Sequence, residues 1–267
     1  MYSESLSLYR RLYVWVGLIV FVQLLAVFTN SDPEVSLAAS LVTIVAGFGS
    51  FLVWIMLSYY AFADLLSSQM TPDVYSTRRI ISFALRTIFL LLLTMLLSGL
   101  VAGGAVWIAT GLLSLDVSFA PGSSFMSVFT VLVVPVMSLA MIVIYSLLGT
   151  CLPASVVGQK HGFAGHFQLG KSQFWQTAVM LFIGPTVLSI LSQGLNLLYS
   201  RVSTVSYFPT PELWSAYTST GHFNLPAILV QIVNGLIGAL VIVMSAWILT
   251  SAYRNAVGRT SIAEVFE

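Results

Sequence analysis

Charge is what this chain has least of: Asp, Glu, Lys and Arg together make up 7% of its 267 residues. An ordinary soluble domain carries about 25%, because its outer shell must present polar groups to water. With 58% hydrophobic residues, the chain has too little polar surface to cover itself, so its composition points to a bilayer as solvent. The sign balance is equally spare. Ten Lys+Arg against nine Asp+Glu leave a net charge of +1, without the basic excess of a nucleic-acid footprint, and nucleic acid is not expected as a partner. Cysteine occurs once, as Cys151. A lone thiol excludes an internal disulfide and a cysteine-based metal site, and it leaves the redox compartment open. Helix packing suits Cys151, with palmitoylation or redox sensing as the alternative.

Chemistry-bearing patterns are also missing. His161, His166 and His222 all lie outside the apolar runs, which excludes haem held by two span histidines. His161 and His166 are not part of an HExxH pattern, so no metal is expected. There is no Gly-x-Ser-x-Gly elbow for a nucleophile and no glycine-rich phosphate loop after a strand. No Lys, Arg, His, Asp or Glu falls deep in an apolar run, and such residues mark ion pathways and intramembrane catalysis when present. The expectation is a protein that is not an enzyme and holds no cofactor.

Long apolar runs are present instead. A span needs roughly 20 apolar residues to cross a hydrocarbon core, and six runs meet or approach that length: 12–28, 37–63, 87–113, 125–152, 176–199 and 225–250. Turn chemistry separates them at Asp32-Pro33, Thr71-Pro72-Asp73, Pro121-Gly122 and Pro209-Thr210-Pro211. In lipid every backbone polar group must be bonded within the chain, which continuous runs achieve as helices. The expected fold is therefore an all-α, polytopic transmembrane bundle of six spans in a single membrane domain, 1–267. Arg10 and Arg11 before the first run read as the flank of a retained signal anchor, since no A-x-A-type cleavage site follows Ala26.

Basic residues set the orientation. Arg10, Arg11, Arg78, Arg79, Arg86, Lys160, Lys171, Arg254 and Arg259 fall on one side of the six runs, and Arg201 alone falls on the other. The positive-inside rule places the nine, and both termini, in the cytoplasm. Pro135 and Pro185 sit inside runs and are expected to kink them. Gly99, Gly103 and Gly104, and Gly235 with Gly238, give small-residue surfaces expected to pack within the chain.

The ends of runs four and six look alike. Val157-Gly158-Gln159-Lys160 precedes an aromatic stretch through Phe167, and one hundred residues on Val257-Gly258-Arg259 precedes Ile262–Phe266. Two readings stand: three helical hairpins with cytoplasmic interfacial segments, or chance similarity in apolar sequence. Within 162–175 the aromatics Phe163, Phe167, Phe174 and Trp175 interleave with His166 and Lys171, and His161 stands just before them, a mix suited to a helix in the headgroup layer. Segment 74–86 is similar, with Arg79 and Arg86 on one face. Arg78, Arg79, Arg86, Lys160, His166, Lys171 and Trp175 are thus expected to form a lipid or partner interface, each basic side chain worth about 1 kcal/mol near anionic lipid. Gln193 and Asn196 share a helix face, as do Gln231 and Asn234. They can tie runs five and six together or form a polar ligand face.

The order of spans, the stretch Phe167-Gln168-Leu169-Gly170-Lys171-Ser172-Gln173-Phe174-Trp175 and the exit Ala252-Tyr253-Arg254 resemble the YciC-like group of bacterial six-span membrane proteins. The resemblance implies the fold and the bacterial inner membrane, and it carries over no catalytic residue. Pro153–Gly158 through Leu169-Gly170 is more faintly similar to the coupling segment of ABC-transporter permeases, without the leading acid or a proline after Leu169. The expected function is that of a non-catalytic assembly, scaffold or envelope-homeostasis factor. It would act through membrane lipids and a membrane or cytoplasmic protein partner. The alternative is a permease or channel subunit for a neutral or amphiphilic solute, with or without a coupled ATPase. A lipid-modifying enzyme using Asp64, Arg86 or His166 has the least support.

Orientation is open to a direct test. A reporter active only in the cytoplasm, fused after Glu267, is expected to be active, and the same reporter placed within 203–222 is expected to be silent. The reverse pattern would sink the cytoplasmic assignment of the nine basic residues.

Overall fold

A computed structural model describes residues 2–29, 37–67, 76–111, 124–159, 163–202 and 223–266. Among them the chain is helical, with no strand. The helices are α1 (Tyr2–Arg11), α2 (Tyr13–Thr29), α3 (Leu37–Leu66), α4 (Thr77–Gly111), α5 (Ser124–Leu148), α6 (Cys151–Val157), α7 (Phe163–Leu181), α8 (Val187–Val202) and α9 (Leu225–Phe266). A π-helical turn, Phe182–Thr186, joins α7 to α8. Four helical stretches are long and apolar enough to cross a membrane: Val45–Leu66, Thr77–Val101, Ala164–Asn196 and Leu225–Gly258. The number rises to as many as six if each of two bent pairs is one span.

Both bends follow changes in the sequence. The polar stretch 2–11 ends on Arg10 and Arg11, which suit the negative C-terminal end of a helix. The apolar run begins at Leu12, and the chain turns there by 77°. The second bend, 45° between α5 and α6, falls at Gly149-Thr150. Pro185 lies in the π-helical turn and is buried. It has no N–H to donate, and the wider turn accommodates that loss inside an otherwise continuous helix. Ser189 Oγ donates to the Pro185 carbonyl at 2.9 Å.

Two expectations about local structure change. Residues 77–86 are the first turns of α4, and residues 163–175 are the first turns of α7, so each basic or aromatic segment continues into the apolar run after it. The reason is the absence of a breaker: nothing between Thr77 and Gly111, or between Phe163 and Leu181, interrupts helical hydrogen bonding.

The chain forms two compact units, one from Met1–Asp64 with Ile183–Trp247 and the other from Leu65–Phe182 with Ile248–Glu267. In the first, α2 buries Val16, Ile19 and Val22. Trp15 stacks on Tyr60 of α3 with centroids 4.9 Å apart, and Arg11 pairs with Asp64 at 2.9 Å. Gly235 brings α9 against α2, since a Cβ there would lie 3.2 Å from Val20 Cα. Ile228 packs with Leu24 and Ile232. Among the described residues Gly99, Gly103, Gly104 and Gly238 have open space where a Cβ would stand, and of these expected positions Gly235 meets another helix.

In the second unit α4 buries Phe83, Thr87, Leu90, Thr94 and Ser98. Its hydroxyls fold back on their own helix, Thr87 to Phe83 O at 3.0 Å, Thr94 to Leu90 O at 2.8 Å and Ser98 to Thr94 O at 2.8 Å. This is how a buried hydroxyl stays satisfied without a partner helix.

The glycines separate cleanly in a stability measurement. Gly235→Val overfills the α2–α9 contact and is expected to cost about 1–3 kcal/mol. Gly99→Val is expected to stay within about 0.5 kcal/mol, both read by reversible unfolding in mixed micelles. Equal losses would place Gly99 at a contact too.

Candidate functional site: a polar interior in the second unit

The break after α5 leaves helix-end carbonyls without helical partners, and such groups must be bonded elsewhere when water is excluded. Gly149 N–H closes the α5 end on Tyr145 O at 2.9 Å. At the other end of α6, Gly158 adopts φ +87°, and both its N–H and that of Gln159 bond Ala154 O at 3.0 Å. Only glycine takes this left-handed cap without strain.

Two arginines of α4 complete the set. Seven residues apart, Arg79 and Arg86 lie two turns apart on one face. Arg86 Nη1 donates to Cys151 O at 2.8 Å and Arg79 Nη1 to Val156 O at 3.2 Å. The Arg79 guanidinium also lies against Gly158, where a Cβ would stand 3.3 Å from Cζ. Around the same segment Tyr253 Oη donates to Gln159 Oε1 at 2.6 Å, and Arg254 donates to Leu65 O.

The expected lipid or partner interface therefore divides. Arg79 and Arg86 are half-buried and donate to carbonyls of α6. His166 is 1% exposed, and its carbonyl accepts from Thr150 Oγ1 at 3.3 Å, so it belongs to the interior. Arg78 and Lys171 are exposed, and Trp175 is 78% exposed. Lys160 lies outside the described residues. Phe167, Lys171 and Trp175 recur at every fourth position and form one exposed line along α7. His166, Gly170, Gln173 and Thr177 form the buried line of the same helix.

The expected polar face in the first unit also resolves. Ser192 Oγ donates to Asn234 Oδ1 at 2.7 Å, and Asn234 Nδ2 donates to Asn196 Oδ1 at 2.7 Å. This network ties α8 to α9 and uses the Asn234 amide at both ends. Gln193 is exposed and Gln231 is half-buried.

The residues that sequence reasoning passed over lie where α5, α7 and the last part of α9 meet. Gly170 sits against the backbone of α5, with a Cβ position 2.8 Å from Ser146 O and in contact with Leu147 O. Gly149 sits against the Leu249 side chain of α9. Side chains larger than hydrogen would hold these helices apart, so both glycines permit the approach. Around them Tyr145, Ser146, Gln173 and Thr250 are each buried to 5% exposure or less. Tyr145 Oη, Ser146 Oγ, Gln173 Nε2 and Thr250 Oγ1 have no hydrogen-bond partner in the protein. The signal for them was available as the polar and small residues at 166, 170, 173 and 177, a helical stripe masked by the aromatics between them.

The four unbonded groups are three hydroxyls and one amide nitrogen, all uncharged. Among the described residues no group of three or more His, Cys, Asp or Glu is placed to hold a metal ion. In comparisons with known proteins, no family model, no curated protein and no solved structure matches the chain.

The arginine clamp makes a measurable difference between neighbours. Arg86→Met leaves the Cys151 carbonyl without its charged donor and is expected to cost about 1.5–3 kcal/mol. Arg78→Met, at an exposed position, is expected to fall within about 0.5 kcal/mol. Similar losses in both variants, by unfolding in micelles, would remove the clamp.

Proposed function

We propose that the protein is a six-span protein of the bacterial inner membrane with both termini in the cytoplasm, and that it works without catalysis as an assembly, scaffold or envelope-homeostasis factor. It acts by engaging membrane lipid and a membrane or cytoplasmic protein partner. The YciC-like resemblance belongs to this reading, as does the six-span count, with α1–α2 and α5–α6 each taken as one bent span.

One observation carries it: the exposed line Phe167, Lys171 and Trp175 at the start of α7. A tryptophan and a lysine one turn apart suit the boundary between hydrocarbon and headgroups, where the ring is half in each phase and the ammonium reaches phosphate. The same helix turns its other face inward, so this line is free to meet something outside the chain. Arg79, Arg86 and Arg254 donate to backbone carbonyls, which assigns these three cations to holding structure.

The test is a nanodisc purification of the wild-type protein beside a Lys171→Gln/Trp175→Ala variant, with mass spectrometry of what each retains. A lipid class or protein held at fixed stoichiometry by the wild type is expected to fall at least severalfold in the variant, with its melting temperature unchanged. Identical retention would remove the interface. Turnover of a substrate by the purified protein, abolished by one substitution, would remove the non-catalytic reading.

A further inference from the structure

The outward line of α7 runs on past Trp175. Lys171, Trp175, Val179 and Phe182 follow at steps of four, four and three residues, which keeps them on one side of the helix, and all four are exposed. Their chemistry changes in order along the axis. A cation comes first, then an indole with Phe174 edge-on to it at 5.3 Å between centroids, then bare hydrocarbon. Lys171 and Phe182 stand eleven residues apart, about 16 Å of helix, and one leaflet of the hydrocarbon core is about 15 Å thick. The line thus matches a phospholipid in sequence of polarity and in length. Membrane helices pack on one another where small residues let backbones approach. These four positions hold no small residue, and Gly170, which does permit an approach, faces α5. The line suits a lipid better than a second helix.

Charge selects among lipids. The net charge of +1 conceals a segregation. In sequence the first unit holds three Lys and Arg against five Asp and Glu, and the second holds seven against four. Among the described side chains of the second unit there are five cations, Arg78, Arg79, Arg86, Lys171 and Arg254, and no carboxylate. Arg79, Arg86 and Arg254 donate to carbonyl oxygens, which are neutral, so their charge remains. Helix α7 contains no Asp or Glu and offers Lys171 no counter-ion of its own. A headgroup with net negative charge meets this excess, whereas a zwitterionic one brings its own cation.

We propose that the outward line of α7 seats an anionic phospholipid of the cytoplasmic leaflet, with its phosphate at Lys171, its glycerol region beside the Trp175 ring and an acyl chain along Val179 and Phe182. The seat rests on the reading of this line as an interface, and it names the occupant and its charge. The ammonium of Lys171 gives the phosphate a charge-assisted hydrogen bond, and its aliphatic stem lies along the same apolar surface as the chain below.

Full-length protein is placed in dioleoylphosphatidylcholine nanodiscs in which dibrominated phosphatidylglycerol or dibrominated phosphatidylcholine replaces a rising share of the lipid. Bromine quenches an indole it touches, and the difference between wild type and Trp175→Phe isolates Trp175 among the chain's six tryptophans. Half-quenching is expected at about three- to fivefold less phosphatidylglycerol than phosphatidylcholine, the equivalent of the roughly 1 kcal/mol that a basic side chain gains near anionic lipid. Lys171→Gln is expected to bring that ratio close to one and Lys171→Arg to keep it, both with the wild-type melting temperature, since Lys171 is exposed. Raising salt to about 0.5 M is expected to lower the wild-type ratio, because screening shortens the reach of surface charge. Equal quenching by the two lipids overturns the anionic seat and leaves the α7 interface standing. Preference for phosphatidylglycerol that survives Lys171→Gln also overturns it, since the selection would then come from elsewhere in the unit. Quenching by neither lipid overturns any lipid seat and leaves the line to a protein partner.

Discussion

Hydrocarbon supplies no hydrogen bonds, and that single fact governs the chain from composition to side-chain placement. It explains why long apolar runs become helices, and it makes every interruption of a helix a local problem. The α5–α6 break is the sharpest case. The chain turns by 45° at Gly149-Thr150, where Gly149 N–H closes α5 on Tyr145 O, and a glycine cap at Gly158 ends α6 while Arg79 and Arg86 from α4 donate to its carbonyls. Arginine suits this task because its guanidinium stays charged and carries five donors in a rigid fork. Basic residues counted by sign as headgroup ligands therefore have a prior use inside the protein.

The same accounting divides the polar side chains. On α4, Thr87, Thr94 and Ser98 satisfy themselves on the preceding turn. Ser192, Asn196 and Asn234 satisfy one another between α8 and α9. Contacts of this kind between membrane helices contribute about 0.6 kcal/mol on average, enough to fix rotation of one helix about another. A group bonded at both ends has little left for a ligand. Tyr145, Ser146, Gln173 and Thr250 are in the opposite condition, each with a buried polar atom that the protein leaves unbonded.

Fold class was legible because it depends on composition and run length, which are properties of many residues at once. Helical architecture followed from the six apolar runs, and the helix starts at Tyr13, Leu37 and Leu225 fall within a residue or two of the expected span starts. What single residues do was less legible. Arg86 and Arg78 are alike in sequence, yet one meets a carbonyl and the other solvent, and the difference arises from α6, whose bend depends on Gly149. Gly99 and Gly235 both read as close-approach positions. Among the described residues the second faces another helix and the first does not, because small-residue spacing records what can come close and not which helix is there. His166 and Lys171 read as parts of one interfacial helix, and five residues on a helix put them on different faces, one buried and one exposed.

Helix α7 shows how one sequence can serve two media at once. Its line at 167, 171 and 175 is aromatic and basic, and its line at 166, 170, 173 and 177 is polar and small. An aromatic in the inner line would separate α7 from α5, since Gly170 already touches backbone. A small polar residue in the outer line would remove the aromatic and basic pair that the proposed interface requires. The close approach at Gly170 requires a small residue there, and that approach is what carries Gln173 into the interior beside α5. Packing and polarity are therefore coupled at this helix: the glycine that lets α7 lie against α5 also determines that an amide, three residues on, is buried with its nitrogen unbonded.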